Sequence, residues 1–245
     1  MNGMVQKNIA DFVIKPKQVK PEVKTFTVEE QKMLENTCLK HRLGVGIILA
    51  LYTGVRLGEL VGAKWGDIDF KAQILKIRRT LNRVSTPDDL DNKTQIIINK
   101  PKTATGCRDI PLQDFLIPLL LELQNKQHEE RQLYGADYIN EDYIICYEQG
   151  KFFEPRTFQD FFKKMLKLSG VPSTNFHVTR HTMATRALEQ GFDIKVLSDI
   201  LGHADASTTL NKYAHALPNH KRNSMNKLNK LWKQESNLED DNGDY

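Results

Sequence analysis

The sequence predicts an α+β protein, mostly α, with a small antiparallel β-sheet on one side. Three observations point there. Apolar residues recur at helical spacing through most of the 245 residues. The main strand-like runs cluster in one stretch, between about residues 73 and 112, each bounded by polar or turn residues. No internal repeat signals a solenoid or propeller.

Residues 1–14 suit one short amphipathic helix, too little for a domain. "KPKQVKPEVK" (15–24) holds four Lys and two Pro and reads as a stiff, extended basic linker. The body opens at "TVEE", where Thr27 as N-cap and Glu30 three residues on form a capping box. Helices are expected at 28–41, 44–53 and 57–63, the last starting just after Arg56. Strands follow at "QILKIRR" (73–79), "TQIIIN" (94–99) and "CRDIPL" (107–112). Leu116, Leu119, Leu120 and Leu123 place a helix over 114–132. "YIICY" (143–147) reads as a short strand. "EPRTFQDFFKKMLKLSG" is an amphipathic helix with Pro155 near its start, Phe158, Phe161, Phe162, Met165 and Leu166 inward, and Gly170 as its stop. The remainder is helical, punctuated by Gly191 and Gly202.

Composition narrows the function classes. With 40% apolar and 27% charged residues the chain can bury a core. Its longest apolar run, "VGIILALY", is far too short to span a bilayer, so no membrane partner is expected. No N-terminal stretch has the apolar core of a secretion signal. Three dispersed cysteines suit a reducing compartment and show no metal spacing, so a cytoplasmic setting is expected. The net charge is +4, but "ESNLEDDNGDY" (235–245) carries five acids and no base. Setting those five aside leaves +9 over residues 1–234, a basic body with an acidic tail expected to be disordered. That balance fits a nucleic-acid binder and equally a lysine-rich solvated surface.

No phosphate-cradling P-loop or dinucleotide fingerprint is present: "GVGIIL" lacks the third glycine. His177 and His181 sit four apart as zinc ligands can, but without a Glu after the first or an obvious third ligand. Neither a metal nor a cofactor is expected. The chemistry-bearing residues are dispersed instead. Arg56 fronts a helix in "TGVRLGEL", and Lys102 lies in a polar turn of "NKPKTATGCRDIPL". His177 and Arg180, three apart, share a helix face in "FHVTRHTMATRALEQG". His203 follows Gly202 in "LGH", and Tyr213 comes ten residues later in "TTLNKYAHA". Positive charge at a helix start makes sense mainly where an anion is expected.

From about Thr27 to Trp232 the chain resembles the catalytic domain of the tyrosine recombinases, the phage and transposon integrase family. "ALYTGVRLGELVGAKWGDID", "PKTATGCRDIPL" and "HVTRHTMATRALEQGFDIKVLSDILGHADASTTLNKYAH" carry the likeness, in the family's order. It implies an integrase-type catalytic domain, bacterial or phage-encoded, acting on double-stranded DNA through a 3′-phosphotyrosine, without metal or cofactor. It places Arg56 and Arg180 as the pair gripping the scissile phosphate and Lys102 as the strand-turn lysine. It further places His177 before the second arginine, His203 in the Leu-Gly-His motif, Tyr213 as nucleophile and Glu59 as the acid bracing the site. His181 and Arg186 are expected to serve packing or backbone contacts.

Elementary chemistry fits each implied role. Guanidinium forks pair bidentately with phosphate oxygens, which an ammonium cannot do. A tyrosine ordinarily has a pKa near 10 and needs a proton acceptor, for which His177 is the expected candidate. Lys102 would protonate the leaving 5′ oxygen, with Lys100 and Arg108 as competing cations nearby, and His203 would donate to the phosphate. Glu59 could instead pair with Lys64 or Arg56.

Three divisions follow: 1–24 as the end of an upstream core-binding domain plus basic linker, 25–234 as the catalytic domain, and 235–245 as the acidic tail. Without the other half of such a clamp, weak and salt-sensitive DNA binding is expected. Met225, Leu228, Leu231 and Trp232 form an apolar stripe that would pack on its own domain or dock on a neighbouring subunit, giving self-association on DNA, dimer to tetramer. Two alternatives stand beside the recombinase. One is a non-catalytic DNA-binding protein using "DIKVLSDILGHADASTTLNKY" as a helix-turn-helix; the other is a type IB topoisomerase.

Overall fold

The apolar run that is too short for a membrane is the central helix of the protein. In the computed structural model, which describes residues 24–86, 94–99, 106–213 and the single position 225, α2 (Gly44–Thr53) has Ile47, Ile48, Leu49, Ala50 and Leu51 all buried. A helix apolar all round must be enclosed by other elements. Here α1 (Val28–Cys38) and α6 (His177–Glu189) pack against it. The capping box starts α1 as expected, with Thr27 Oγ1 accepting from Glu30 N at 3.1 Å and Glu30 Oε2 accepting from Thr27 N at 2.8 Å.

After α3 (Leu57–Gly62) the β-structure forms two small antiparallel sheets rather than one. The first runs in the order β1 (Ile68–Asp69), β2 (Ile74–Ile77) and β5 (Arg108–Pro111), with Leu75 opposite Ile110 and Ile77 opposite Arg108. The second pairs β3 (Thr80–Ser85) with β4 (Thr94–Asn99), Thr80 opposite Asn99. The expected strand 73–79 therefore ends at Ile77. The chain then starts β3, which has no counterpart in the sequence expectation. "YIICY" is not a strand either. It makes only isolated bridges, Lys64 with Tyr143 and Cys146 with Phe152. Its polar backbone is satisfied piecemeal: Ile144 N donates to Ala63 O, Gln127 Nε2 to Ile144 O and Arg42 Nη1 to Cys146 O. Buried backbone groups need partners, not necessarily a ladder.

The helices α4 (Leu116–Tyr134) and α5 (Pro155–Ser169) complete the main core. Phe158 and Phe162 of α5 are fully buried and meet Phe176 edge-on, at centroid distances of 5.7 and 5.2 Å. A second, smaller core gathers Ala184, Ala187 and Leu188 of α6, Leu197 and Leu201 of α7 (Ile194–Leu201), and Tyr213 of α8 (Ala206–Tyr213). The first turn of α6 sits in the main core through Val178, and its later turns sit in the second. Residues 1–23, Lys102 and the expected stripe residues beyond Met225 lie outside the described residues. No described helix is long and apolar enough to cross a membrane.

Candidate active site

Three arginines from three distant elements converge on the C-terminal end of α7. Arg108 Nε donates to Ile200 O at 2.6 Å, Arg180 Nη2 to Leu201 O at 2.6 Å and Arg56 Nη2 to Gly202 O at 3.2 Å. Successive carbonyls at a helix end have no intrahelical donor and carry partial negative charge. The short helix therefore gathers the guanidinium groups in register, one per residue. Two glycines make this possible. Gly202 ends α7 at φ 65° and Gly54 ends α2 at φ 66°, both left-handed, and Gly54 O accepts from Arg180 Nη1 at 2.8 Å.

Arg180 is 2% exposed, and burial, then Arg56 and Arg108, push its pKa down to about 9, still charged at neutral pH. Arg56 is more open, with its side chain 40% exposed, and its Nη1 donates to Glu59 Oε1 at 2.8 Å. Glu59 is buried between Arg56 and Arg108, and Arg108 binds it with two bonds of 3.0 and 2.8 Å. Burial opposes its ionisation, but the Arg108 bonds and charge, then Arg56, outweigh it and hold the carboxyl at about 2. Three guanidinium charges against one carboxylate leave a net +2 in this cluster. That excess of positive charge suits an anion.

His203 lies against this group. Its Nε2 is 2.9 Å from Arg180 Nη2 and its Nδ1 is 2.7 Å from Thr209 Oγ1. A guanidinium only donates, so Nε2 accepts and the ring proton sits on Nδ1. Burial, then Arg180 and Lys212, lower its pKa to about 4, consistent with a neutral ring. The expected donation from His203 to a phosphate thus requires Nε2 to leave Arg180 or the ring to gain a proton.

Tyr213 is 1% exposed and its hydroxyl is 2.8 Å from His181 Nδ1, not from His177. Burial raises its pKa to about 12, against a lowering pull from Arg180. The His177 and His181 rings meet edge-on, centroids 4.5 Å apart, because residues four apart share one face of α6. The Tyr213 hydroxyl therefore meets His181, and His177, the expected acceptor, stands behind that ring. Among the described residues, Arg56, Glu59, Arg180 and His203 come together directly, and Tyr213 and His177 join through His181. Lys102 lies outside the described residues. Arg186 has the structural contacts expected, to Glu189 and Phe26 O.

The sequence reading missed three participants: His181, Arg108 as the partner of Glu59, and Lys212, whose charge lowers all three histidines. His181 had a usable signal, since i, i+4 placement from His177 puts it on the same face. An apolar cleft of about 450 Å³ is lined by Met183, Arg186 and Ala187 of α6 and by Ile200, but by none of the charged side chains of this cluster. Among the described residues no three His, Cys, Asp or Glu side chains group as metal ligands would.

Residues 24–220 match the model of the phage integrase family. Over 219 residues the chain is 37% identical to a tyrosine recombinase XerC-like protein of Caldanaerobacter subterraneus subsp. tengcongensis, covering 88% of this chain and 56% of that relative. It is 27% identical over 231 residues to transposase A from transposon Tn554 of Staphylococcus aureus, covering 92% and 56%. The chain thus spans just over half the length of these relatives. Among solved structures, the Tn1549 transposon integrase in complex with transposon right end DNA aligns with a TM-score of 0.71 at 23% identity, over 91% of this chain and 72% of that one. The catalytic domain of bacteriophage HP1 integrase aligns with a TM-score of 0.51 at 18% identity, over 84% and 95%. At these identities the structural likeness concerns the fold.

Proposed function

The chain belongs to the phage integrase family, and on that premise we propose that it is a site-specific DNA recombinase. It cuts one strand through a 3′-phosphotyrosine and rejoins that end to another duplex. The observation that carries this reading is the convergence of Arg56 and Arg180 on the end of α7, with Tyr213 one helix away. Arg56 and Arg180 grip the non-bridging oxygens, and Glu59 fixes Arg56 through its two bonds to that residue. His203 contacts the phosphate once DNA displaces its bond to Arg180. Tyr213 attacks phosphorus, and Lys102 protonates the departing 5′ oxygen. The ester stores the bond energy for religation, so the proposed steps call on no cofactor.

Residues 25–234 are the catalytic unit in this reading, and double-stranded DNA is its partner. Residues 1–24 supply the linker to a clamp on the opposite face of the duplex. The stripe Met225, Leu228, Leu231 and Trp232 suits docking on a second copy assembled on the same DNA. Deleting 218–245 should then reduce adduct yield and exchange between subunits.

The test is a nicked DNA substrate whose cleaved fragment diffuses away, trapping any covalent protein–DNA product. Tyr213→Phe should abolish the adduct and Tyr134→Phe should leave it intact. A protein that binds DNA without ever forming the adduct would be the helix-turn-helix binder instead.

A further inference from the structure

We propose that His181 takes the proton from Tyr213 as its hydroxyl attacks phosphorus, an assignment that rests on the recombinase reading above. The geometry selects it. His181 Nδ1 stands 2.8 Å from the Tyr213 hydroxyl. His203 has both ring nitrogens engaged, by Arg180 and Thr209. His177 is exposed and touches the His181 ring rather than the phenol. Among the described residues, His181 is the imidazole that meets the reacting oxygen.

The protonation states agree with this direction. The groups facing His181 are His177 and Arg180 on α6 and Lys212 and Tyr213 on α8. Burial first, then His177, Lys212 and Arg180, lower its pKa to about 4. At neutral pH its ring is therefore uncharged and has a lone pair to offer. With Tyr213 donating to Nδ1, the ring proton sits on Nε2. A phosphodiester in the arginine cluster offsets the same cations that depress His181, so its basicity rises when substrate is bound.

The step balances. The bond from Tyr213 Oη to phosphorus forms, the phenol O–H bond breaks, and its proton goes to Nδ1, giving an imidazolium. The P–O5′ bond breaks, its electron pair leaves with the 5′ oxygen, and that oxygen takes a proton from Lys102. In religation the 5′ hydroxyl gives its proton back to Lys102 as it bonds to phosphorus, the bond from phosphorus to Tyr213 Oη breaks, and the phenol oxygen recovers its proton from His181.

Two measurements test the proposal. In the DNA-free protein, long-range ¹H–¹⁵N correlation should show His181 protonated on Nε2 alone, with an Nδ1 shift that moves in Tyr213→Phe. Protonation on Nδ1 would overturn it, whatever the protein does to DNA. In single-turnover adduct formation, His181→Ala should be slower by about 10²–10⁴-fold at pH 7, the usual worth of a positioned base. The deficit should shrink between pH 7 and 8.5, as the ionised fraction of Tyr213 rises while Arg180 stays mostly charged. His181→Asn keeps an acceptor beside the hydroxyl but not a base, and should stay slow at pH 7; far-ultraviolet circular dichroism checks that both variants fold. Wild-type rates in His181→Asn would make the residue a positioning group only, and an unchanged or faster His181→Ala would make it a restraint; either result rejects the proposal. Absence of an adduct from the wild type, or its persistence in Tyr213→Phe, brings down the recombinase reading and this step with it.

Discussion

Arg108 and Glu59 meet as a buried pair joined by two hydrogen bonds, and the same carboxylate accepts from both the backbone N–H and the guanidinium of Arg56. Four donors thus saturate one carboxylate, and the position of Arg56 is set by a residue that need not touch DNA. Removing one partner of a buried pair leaves the other charge uncompensated, typically a loss of about 3–5 kcal/mol. Arg108→Ala should show a loss of that order in urea denaturation, and Arg108→Lys should recover only part of it, since an ammonium cannot supply the fork. A double-mutant cycle with Glu59→Gln checks the coupling; additivity of the two variants would contradict it.

Stability should fall in acid in two stages. His181 and His203 have folded pKa values near 4, below the ordinary 6.5, so the unfolded chain takes up protons first. Their contribution is complete above pH 6.5 and is lost between 6.5 and 4, at most about 3 kcal/mol each. His177 is exposed and solvent screens its charge, so the first stage belongs to the other two rings. Glu59, held at about 2, stabilises the fold above pH 4.5 and loses that contribution as pH falls towards 2, again about 3 kcal/mol. Urea midpoints at pH 7.5, 5.5 and 4 follow the first stage. A profile flat from 7.5 to 5 would contradict it.

Gly54 couples the core to the site. A Cβ there would lie 2.8 Å from Leu201 Cδ2 and 3.3 Å from Met183 Sδ, on a backbone at φ 66°. Gly54→Ala should cost about 1–2 kcal/mol for the left-handed conformation alone, and more for the contact with α7. It should also shift the Gly54 and Leu201 carbonyls that hold Arg180. Tm and the cleavage rate are therefore expected to fall together; a stable variant with normal cleavage would show that Arg180 does not depend on this turn.

Much of this architecture is legible in the chain because its signals are local. Thr27 and Glu30 start α1, Pro155 and Gly170 bracket α5, and the apolar run 45–52 becomes the buried helix α2. The departures come where long-range packing decides. Ile144 and Ile145 are β-branched and fully buried, yet their backbone is satisfied by Ala63, Gln127 and neighbouring loops. The same holds at the site. The family likeness supplies Arg56, Arg180, His203 and Tyr213, whereas pairing Arg108 with Glu59 across 49 residues and His181 with Tyr213 across 32 is a property of the fold.

The role given to the two exposed-to-buried guanidinium forks is open to a single comparison: the single-turnover cleavage rate of Arg180→Lys and Arg56→Lys on the trapped substrate. Each variant keeps the charge and loses the planar pair of donors. Loss of one preorganised donor at a reacting oxyanion costs about 10²–10³-fold, so each rate should drop by that factor while DNA affinity changes little. Rates equal to wild type in both variants would mean that neither arginine holds the scissile phosphate.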